Sequence, residues 1–334
     1  RSGCAFNLNN ALLPSLGGPG EVGRISGSAT AFGYWGGVLA LALMLLFLAE
    51  TEAGTTLIGT APALGLDAEA REGTRAVGPV IAIWFAVFLI PYFLWVRDPP
   101  GQRQRVRVGA AFAELGQTLR GVTRRPSLAA FLGSSMLYRD ALTAVYSFGG
   151  IYATLVLGWE TVQVGVFGII AAIAAAIIAW LGGLADEAVG PKPVVRVSCW
   201  VLIAVSCVIV GMSRESLFGL PLAEGSLVPD VIFYICGAAI GGAGGTLYAS
   251  SRSLMARHCD PERPAESFGL FALSGKATAF LAPLLITIFT QATGSTQMGF
   301  VPVIALFLGG LILLHWVHAD GDRAEWSGPS QALS

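Results

Sequence analysis

The sequence predicts an all-α, multi-pass membrane protein, and three observations support that fold class. Only 12% of the residues are charged and the mean hydropathy is +0.68, whereas a soluble domain carries about 25% charged residues. The apolar residues form long stretches, and a helix needs roughly 20 such residues to cross a bilayer. Lys and Arg concentrate in alternate gaps between these stretches, as they do in membrane proteins. Together these observations exclude an ordinary soluble domain.

The order of the apolar stretches predicts about eight complete membrane-spanning helices. Uncharged stretches lie at 25–49, 76–96, 141–159, 161–185, 197–213, 231–251 and 277–314. A polar turn at 291–297 divides the last stretch between two helices. The stretches at 76–96, 197–213 and 297–314 are almost wholly apolar, so every third helix is predicted to face lipid.

The basic residues predict the orientation in the membrane. Fifteen of the 20 Lys and Arg lie in the gaps 1–24, 97–125, 186–196, 252–266 and 318–334. The opposite gaps hold Arg71, Arg75 and Arg214. Because cytoplasmic loops carry the excess of Lys and Arg, both ends of the chain are predicted to be cytoplasmic.

The longest polar gap, 97–125, divides the chain into two parts. Apolar residues recur in it at helical spacing among seven Arg, which predicts an amphipathic helix on anionic lipid and not a nucleic-acid site. Residues 1–96 are predicted to be the remainder of an N-terminal helical bundle whose beginning is missing. Residues 126–317 are predicted to form a C-terminal six-helix bundle, and residues 318–334 a cytoplasmic tail. Two bundles of six helices are a known transporter architecture.

Charged residues inside the predicted helices are candidate substrate or ion pathway residues. Arg139 and Asp140 lie about 20 Å from the cytoplasmic end of their helix, and Lys276 about 15 Å from its own. A charge at such depth costs about 2.5 kcal/mol or more unless it is paired or hydrated. We therefore expect Asp140 to pair with Lys276, whereas Arg139 points about 100° away and could bind a substrate carboxylate. Thr143 shares the helical stripe of Arg139.

Two structural alternatives to this pathway remain open at the sequence level. The charges could form an ion pair that locks two helices, or they could mark a break between two shorter helices. The glycines Gly237, Gly241 and Gly245 form two overlapping GxxxG spacings, which predict close helix packing. No catalytic cluster and no metal-ligand spacing is present, so we predict no enzyme activity, no metal and no cofactor.

Several motifs resemble known transporter families. Gly-Gly-Leu-Ala-Asp at 182–186, followed by Gly-Pro-Lys at 190–192, resembles the gating-loop signature of the major facilitator superfamily, although Glu187 stands where a basic residue is usual. Longer stretches are similar to the autophagy-related vacuole effluxer family within it. These stretches lie at 10–14, 23–27, 33–37, 137–140, 251–253, 265–269 and 274–276.

The resemblance implies a major-facilitator-type two-bundle transporter, of which this chain would supply helices 5–12 of 12. The almost wholly apolar helices would then be the peripheral helices six, nine and twelve. The resemblance adds Asn10, Tyr138 and Tyr248 to the pathway residues, with Tyr248 where the family would have Gln. It also implies a set of cytoplasmic gating residues, which are Arg24, Asp186, Lys192, Arg252 and Glu266.

The function expected from these observations is secondary active transport by alternating access. The resemblance implies that the solutes are small and polar, such as neutral amino acids. We expect a monomer whose transport is coupled to an ion gradient, with protons as one candidate ion. The expected location is a bacterial inner membrane, with the vacuolar membrane as the alternative. Two other classes stay open: a non-transporting sensor or assembly protein on a transporter fold, and a membrane-embedded lipid-modifying enzyme.

Overall fold

The computed structural model describes residues 10–18, 20–51, 53–95, 121–260 and 263–321. These residues are almost entirely helical, which confirms the all-α fold class. The helices in this part of the chain are α1 (Glu21–Phe47), α2 (Glu72–Trp95), α3 (Pro126–Leu155), α4 (Thr161–Val189), α5 (Pro191–Val210), α6 (Val228–His258), α7 (Pro264–Ala277), α8 (Leu281–Thr293) and α9 (Val301–Leu314). A short antiparallel hairpin joins β1 (Ser216–Leu217) to β2 (Leu220–Pro221).

Six helical segments of the described residues are long and apolar enough to cross a membrane. They are Glu21–Phe47, Glu72–Trp95, Gln163–Val189, Pro191–Val210, Val228–His258 and Pro264–Thr293. The helix α3 has 30 residues, which is enough length for a further span, and Met298–Leu314 is a shorter apolar helix. These segments correspond to the apolar stretches of the sequence, and the chain is an integral membrane protein.

The helix α3 differs from its predicted extent. The uncharged stretch begins at residue 141, but the helix begins at Pro126 and continues through Arg139 and Asp140. Pro126 occupies the first helical position, where the missing N–H costs nothing because that group has no intrahelical partner. The charged pair therefore lies in the middle of the helix and not at its start.

The segment that contains α7 and α8 is interrupted at residues 278–280. Pro283 explains the position of this break, because a proline ring clashes with the carbonyl group four residues earlier and removes one backbone donor. The interruption leaves the first backbone N–H groups of α8 without intrahelical acceptors. These groups become available to a side chain from another helix.

The chain divides into two compact units. One comprises residues 1–34 and 118–334, and the other comprises residues 35–117. Residues 1–34 group with the C-terminal helices in this division, and the domain boundaries predicted from the sequence stay predictions. The amphipathic helix predicted within 97–125 and most of the tail predicted at 318–334 lie outside the described residues.

In the first unit, α6 is the central helix. It packs along α4 and α5, while α3 packs along α9. Fully buried aromatic side chains fill the space between these helices, among them Phe131, Tyr138, Tyr152 and Phe233. In the second unit, Glu50 accepts hydrogen bonds from the backbone N–H of Thr74 at the start of α2, with N–O distances of 3.0 and 3.4 Å.

Candidate functional site

A cavity of about 510 Å³ lies within the first unit. Its wall contains side chains from α1, α3, α6 and α7 together with a residue that precedes α1. The lining residues are Asn10, Ala29, Thr30, Gly33, Tyr34, Arg139, Tyr248, Arg252, Phe271 and Ala272. Four of the residues that the sequence singled out, Asn10, Arg139, Tyr248 and Arg252, are thus brought together.

Arg139 is held in the cavity wall by α7. Its Nη1 donates a hydrogen bond to the Phe271 carbonyl oxygen at 3.0 Å, and its Cζ lies 4.4 Å from the centre of the Phe271 ring. Gly275 provides the space for the guanidinium, since an ideal Cβ there would lie 2.5 Å from the Arg139 Cζ. The cation–π contact and the hydrogen bond fix the orientation of the guanidinium plane.

Arg252 connects α6 to α1 across the cavity. Its guanidinium donates hydrogen bonds to the Asn10 side-chain oxygen at 3.4 Å, to the Ser26 carbonyl oxygen at 3.2 Å and to the Thr30 hydroxyl. Ser26 in turn donates to the Ala249 carbonyl oxygen at 2.8 Å. Arg252 was predicted as a gating residue, and the structure places it on the cavity wall.

Two other predicted pathway residues lie beside the cavity without lining it. The buried Tyr138 hydroxyl is 2.8 Å from the Ser251 hydroxyl, which ties α3 to α6. Thr143 donates to the Arg139 carbonyl oxygen one helical turn earlier, at 2.8 Å. Their roles in a solute pathway stay predictions.

The expected pair between Asp140 and Lys276 is wrong. Asp140 is only 2% exposed, and its Oδ2 accepts a hydrogen bond from the Ala282 backbone N–H at 2.9 Å. Lys276 lies in the last turn of α7 and is exposed. Among the described residues no ion pair joins the two side chains.

The N-terminus of α8 explains how Asp140 is accommodated. Ala282 is the second residue of α8, so its N–H has no intrahelical acceptor. The helix dipole adds a partial positive charge at that end and favours a carboxylate there. Asp140 therefore binds the N-terminus of α8 and not a lysine. The alternative of a break at the two charges themselves is wrong, because α3 continues through Arg139 and Asp140.

At one end of the first unit, here called the closed end, α1 and α4 make close contacts through glycines. An ideal Cβ on Gly27 would lie 2.5 Å from the Gly183 Cα. One turn away, an ideal Cβ on Gly23 would lie 2.5 Å from the Asp186 Oδ1. Because Gly27 and Gly183 have no side chains, the backbones of α1 and α4 can touch at this point. The positive-inside rule assigns this end to the cytoplasm.

Charged groups surround this glycine contact. Arg24 Nη1 lies 3.5 Å from Glu187 Oε1, so the residue that departs from the loop signature finds a cationic partner on α1. Asp186 is 1% exposed, and its Oδ1 accepts a hydrogen bond from the Ser253 hydroxyl at 3.1 Å. These contacts join α1, α4 and α6 at the closed end.

Two predicted gating residues have other contacts. Lys192 Nζ donates to the carbonyl oxygens of His315 at 3.2 Å and Val317 at 2.6 Å, so it caps the C-terminal end of α9. Such an end carries partial negative charge and favours a cation. Glu266, in the first turn of α7, pairs at 3.6 Å with Arg263, the residue that precedes the helix. Their predicted roles in gating stay predictions.

The three glycines predicted to allow close helix packing lie on one face of α6. They are Gly237, Gly241 and Gly245. An ideal Cβ at each position would contact α4, at Phe167, Ala171 and Ala175 respectively. The contact of Gly241 is with the Ala171 backbone itself, so no side chain fits there without separating the helices.

Sequence reasoning missed several residues of the cavity and its closed end. Thr30, Tyr34 and Phe271 line the cavity but look in the sequence like ordinary residues of apolar helices. Gly27 and Gly183 carry the backbone contact between α1 and α4. A signal for Gly27 was present, because Gly23 and Gly27 form a GxxxG spacing at the start of α1.

The chain is similar to proteins of one transporter family. The model of the family described as "Vacuole effluxer Atg22 like" matches residues 21–327. The "Autophagy-related protein 22-2" of Emericella nidulans is 27% identical over 329 residues, covering 90% of this chain and 52% of that protein. The "Uncharacterized MFS-type transporter YxiO" of Bacillus subtilis is 25% identical over 244 residues, covering 71% of this chain and 52% of that protein. The chain thus spans about half the length of these curated relatives.

A solved structure shares the fold. The fucose:proton symporter FucP of E. coli aligns with a TM-score of 0.64 at 14% identity, covering 93% of this chain and 72% of that structure. A second FucP structure, described as a major facilitator superfamily transporter in the outward conformation, aligns with a TM-score of 0.60. At this identity the likeness establishes the fold alone.

Proposed function

The chain belongs to the vacuole effluxer Atg22-like family and has the major facilitator fold, and from this premise we propose that it acts in secondary active transport by alternating access. The observation that carries the proposal is the cavity that contains Arg139 and Arg252. Its wall combines α1, from the predicted N-terminal bundle, with α3, α6 and α7 of the predicted C-terminal bundle. A solute site between two bundles is what an alternating-access transporter requires.

The glycine contact between α1 and α4 supports a gating step. Gly27 and Gly183 allow a tight backbone contact that opens without breaking any side-chain packing between them. The Arg24–Glu187 pair is half-exposed, and exposed ion pairs contribute only about 0–1 kcal/mol. A closure built from such contacts is weak enough for solute binding to reverse it.

We further propose that the solutes are small and polar, such as neutral amino acids, and that an ion gradient drives the movement. Protons are a candidate ion because Asp140 and Asp186 each have one buried carboxylate oxygen without a hydrogen-bond partner among the described residues. The proposed form is a monomer in a bacterial inner membrane, or in a vacuolar membrane.

Counterflow in liposomes tests this function. The protein at its native full length is reconstituted into liposomes loaded with an unlabelled amino acid, and entry of the radiolabelled form is measured with and without a pH gradient. We expect counterflow that Arg139→Gln abolishes and that Arg196→Gln, a change of the same type at an exposed position on α5, retains. Absence of counterflow for every amino acid and small organic acid tested would favour the sensor or assembly class.

A further inference from the structure

We propose that the cavity recognises its solute by a carboxylate group, through Arg139, and makes no compensating ionic contact to an ammonium group. The inference deepens the proposed transport function by naming the chemical class that the same cavity takes. An organic monocarboxylate with an apolar body, lacking the amino group, should therefore bind at least as tightly as the corresponding amino acid.

The charge of the wall is the first observation. Among the ten described lining residues two are Arg and none is Asp, Glu or His. Asp140, the acidic residue next to Arg139 in sequence, points away on the helix and accepts a hydrogen bond from Ala282. A wall whose described residues include two cations and no carboxylate favours an anion, because an opposite charge stabilises a buried charge in a low-dielectric protein.

The orientation of Arg139 is the second observation. In the part of the chain that the structure describes, its guanidinium contacts the Phe271 carbonyl oxygen and the Phe271 ring, and it forms no ion pair. A guanidinium has five N–H donors, so most of them are available to a ligand. Two parallel N–H groups match the two oxygens of a carboxylate.

The rest of the wall suits an apolar body. Beside the two Arg, the cavity is lined by aromatic rings and by small residues. The rings are those of Tyr34, Tyr248 and Phe271, and the small residues are Ala29, Gly33 and Ala272. A volume of about 510 Å³ falls within the range of small-molecule sites, about 300–1,000 Å³. The described wall offers hydroxyl and amide groups to an ammonium but no carboxylate, so the amino group of an amino acid gains little.

Binding measurements on three compounds of the same shape test this inference. Leucine has both charges, 4-methylpentanoate has only the carboxylate, and leucinamide has only the ammonium. Each is titrated by calorimetry into the purified full-length protein in detergent. We expect 4-methylpentanoate to bind at least as tightly as leucine does. Leucinamide should bind at least about tenfold more weakly than leucine.

Variants at Arg139 assign the effect to this residue. Arg139→Gln should weaken 4-methylpentanoate binding by about 10- to 100-fold, and Arg139→Lys, which keeps the charge but loses the two-pronged geometry, should lie between it and the wild type. The matched control Arg196→Gln should bind as the wild type does. If Arg139→Gln does not fold by its thermal unfolding profile, the Arg139→Lys affinity decides.

Several outcomes would overturn the proposal. They are leucine binding more tightly than 4-methylpentanoate, leucinamide binding within about tenfold of leucine, no binding of any of the three, or wild-type affinity in a folded Arg139 variant. Carboxylate binding without counterflow would instead remove the transport function and leave the carboxylate site standing.

Discussion

The contact between Gly27 and Gly183 should control closure of the α1–α4 end, and one added methyl group tests this. An ideal Cβ on Gly27 would lie 2.5 Å from the Gly183 Cα and 2.8 Å from the Ala179 carbonyl oxygen. Carbon atoms in favourable contact are about 3.5–4.0 Å apart. To admit alanine at residue 27, α1 and α4 must therefore separate by about 1 Å at this point.

This separation has an energetic cost that falls on the closed arrangement alone. Overpacking by one methyl group in a tight contact costs about 1–3 kcal/mol. In a protein that alternates between closed and open arrangements, such a difference shifts the equilibrium toward the open one by about 5- to 150-fold. Gly27→Ala should therefore expose the cavity to the side that is predicted to be cytoplasmic.

Thiol labelling measures that exposure. A single cysteine is introduced at Ala29, on the cavity wall, in a protein whose five native cysteines have been replaced. A membrane-impermeant reagent is then applied from the predicted cytoplasmic side. We expect Gly27→Ala to raise the labelling rate at least about fivefold. The control Gly36→Ala should leave it unchanged, because no atom lies within 4 Å of an ideal Cβ there.

An unchanged labelling rate in correctly inserted Gly27→Ala protein would refute the reasoning. It would mean either that the two glycines do not separate during the cycle or that the labelled cysteine is reached by another route. Labelling that rises equally in Gly36→Ala would show a general effect of helix propensity, since alanine favours a helix over glycine by about 1 kcal/mol at either position.

Three further predictions concern helix ends. Asp140→Ala should lower the free energy of unfolding by about 1.5–3 kcal/mol, because it removes a charged acceptor from the Ala282 N–H. Asp140→Asn, which keeps an acceptor oxygen, should cost less; chemical unfolding in detergent measures both. Lys192→Gln should cost about 1 kcal/mol by the same measurement, because it removes the cation from the C-terminal end of α9. Burial raises the pKa of the Glu50 carboxyl. Hydrogen bonds from the backbone N–H groups of Glu50 and Thr74 and from the Thr74 side chain outweigh this effect and hold the pKa below its ordinary value. The stability that Glu50 contributes is therefore full above about pH 4.3, the unfolded value, and lost as the pH falls through the lower folded value. The unfolding midpoint should fall less between pH 5 and pH 3 in Glu50→Gln than in the wild type.

The membrane-spanning helices could be predicted because apolar length and loop charge are local properties of the sequence. The limits of α3 could not, since Arg139 and Asp140 end the uncharged stretch although the helix continues through them. The break before α8 was also missed. Its cause, Pro283, is visible in the sequence, but the apolar stretch around it is otherwise unbroken.

Part of the cavity wall could be predicted, but not from apolar length or loop charge. Arg139 was a candidate because a buried charge is costly, and Asn10, Tyr248 and Arg252 were candidates because of the family resemblance. Tyr34 and Phe271 could not be identified, since an aromatic side chain in a membrane helix has the same appearance whether it packs or lines a cavity. The side-chain geometry that separates these two uses depends on how the helices meet.

The wrong pairing of Asp140 with Lys276 shows why charges cannot be matched by elimination. The sequence lists ionised side chains, but the partner of Asp140 is a backbone N–H that becomes available only because Pro283 interrupts the helix. That N–H, together with the helix dipole, stabilises a carboxylate without a cation. Asp140 thus does not need the neighbouring Arg139 to compensate its charge. Arg139 faces the cavity, and among the described residues it has no carboxylate partner. Two adjacent opposite charges on one helix therefore serve separate tasks: one holds a broken helix in place, and the other keeps the cavity positive.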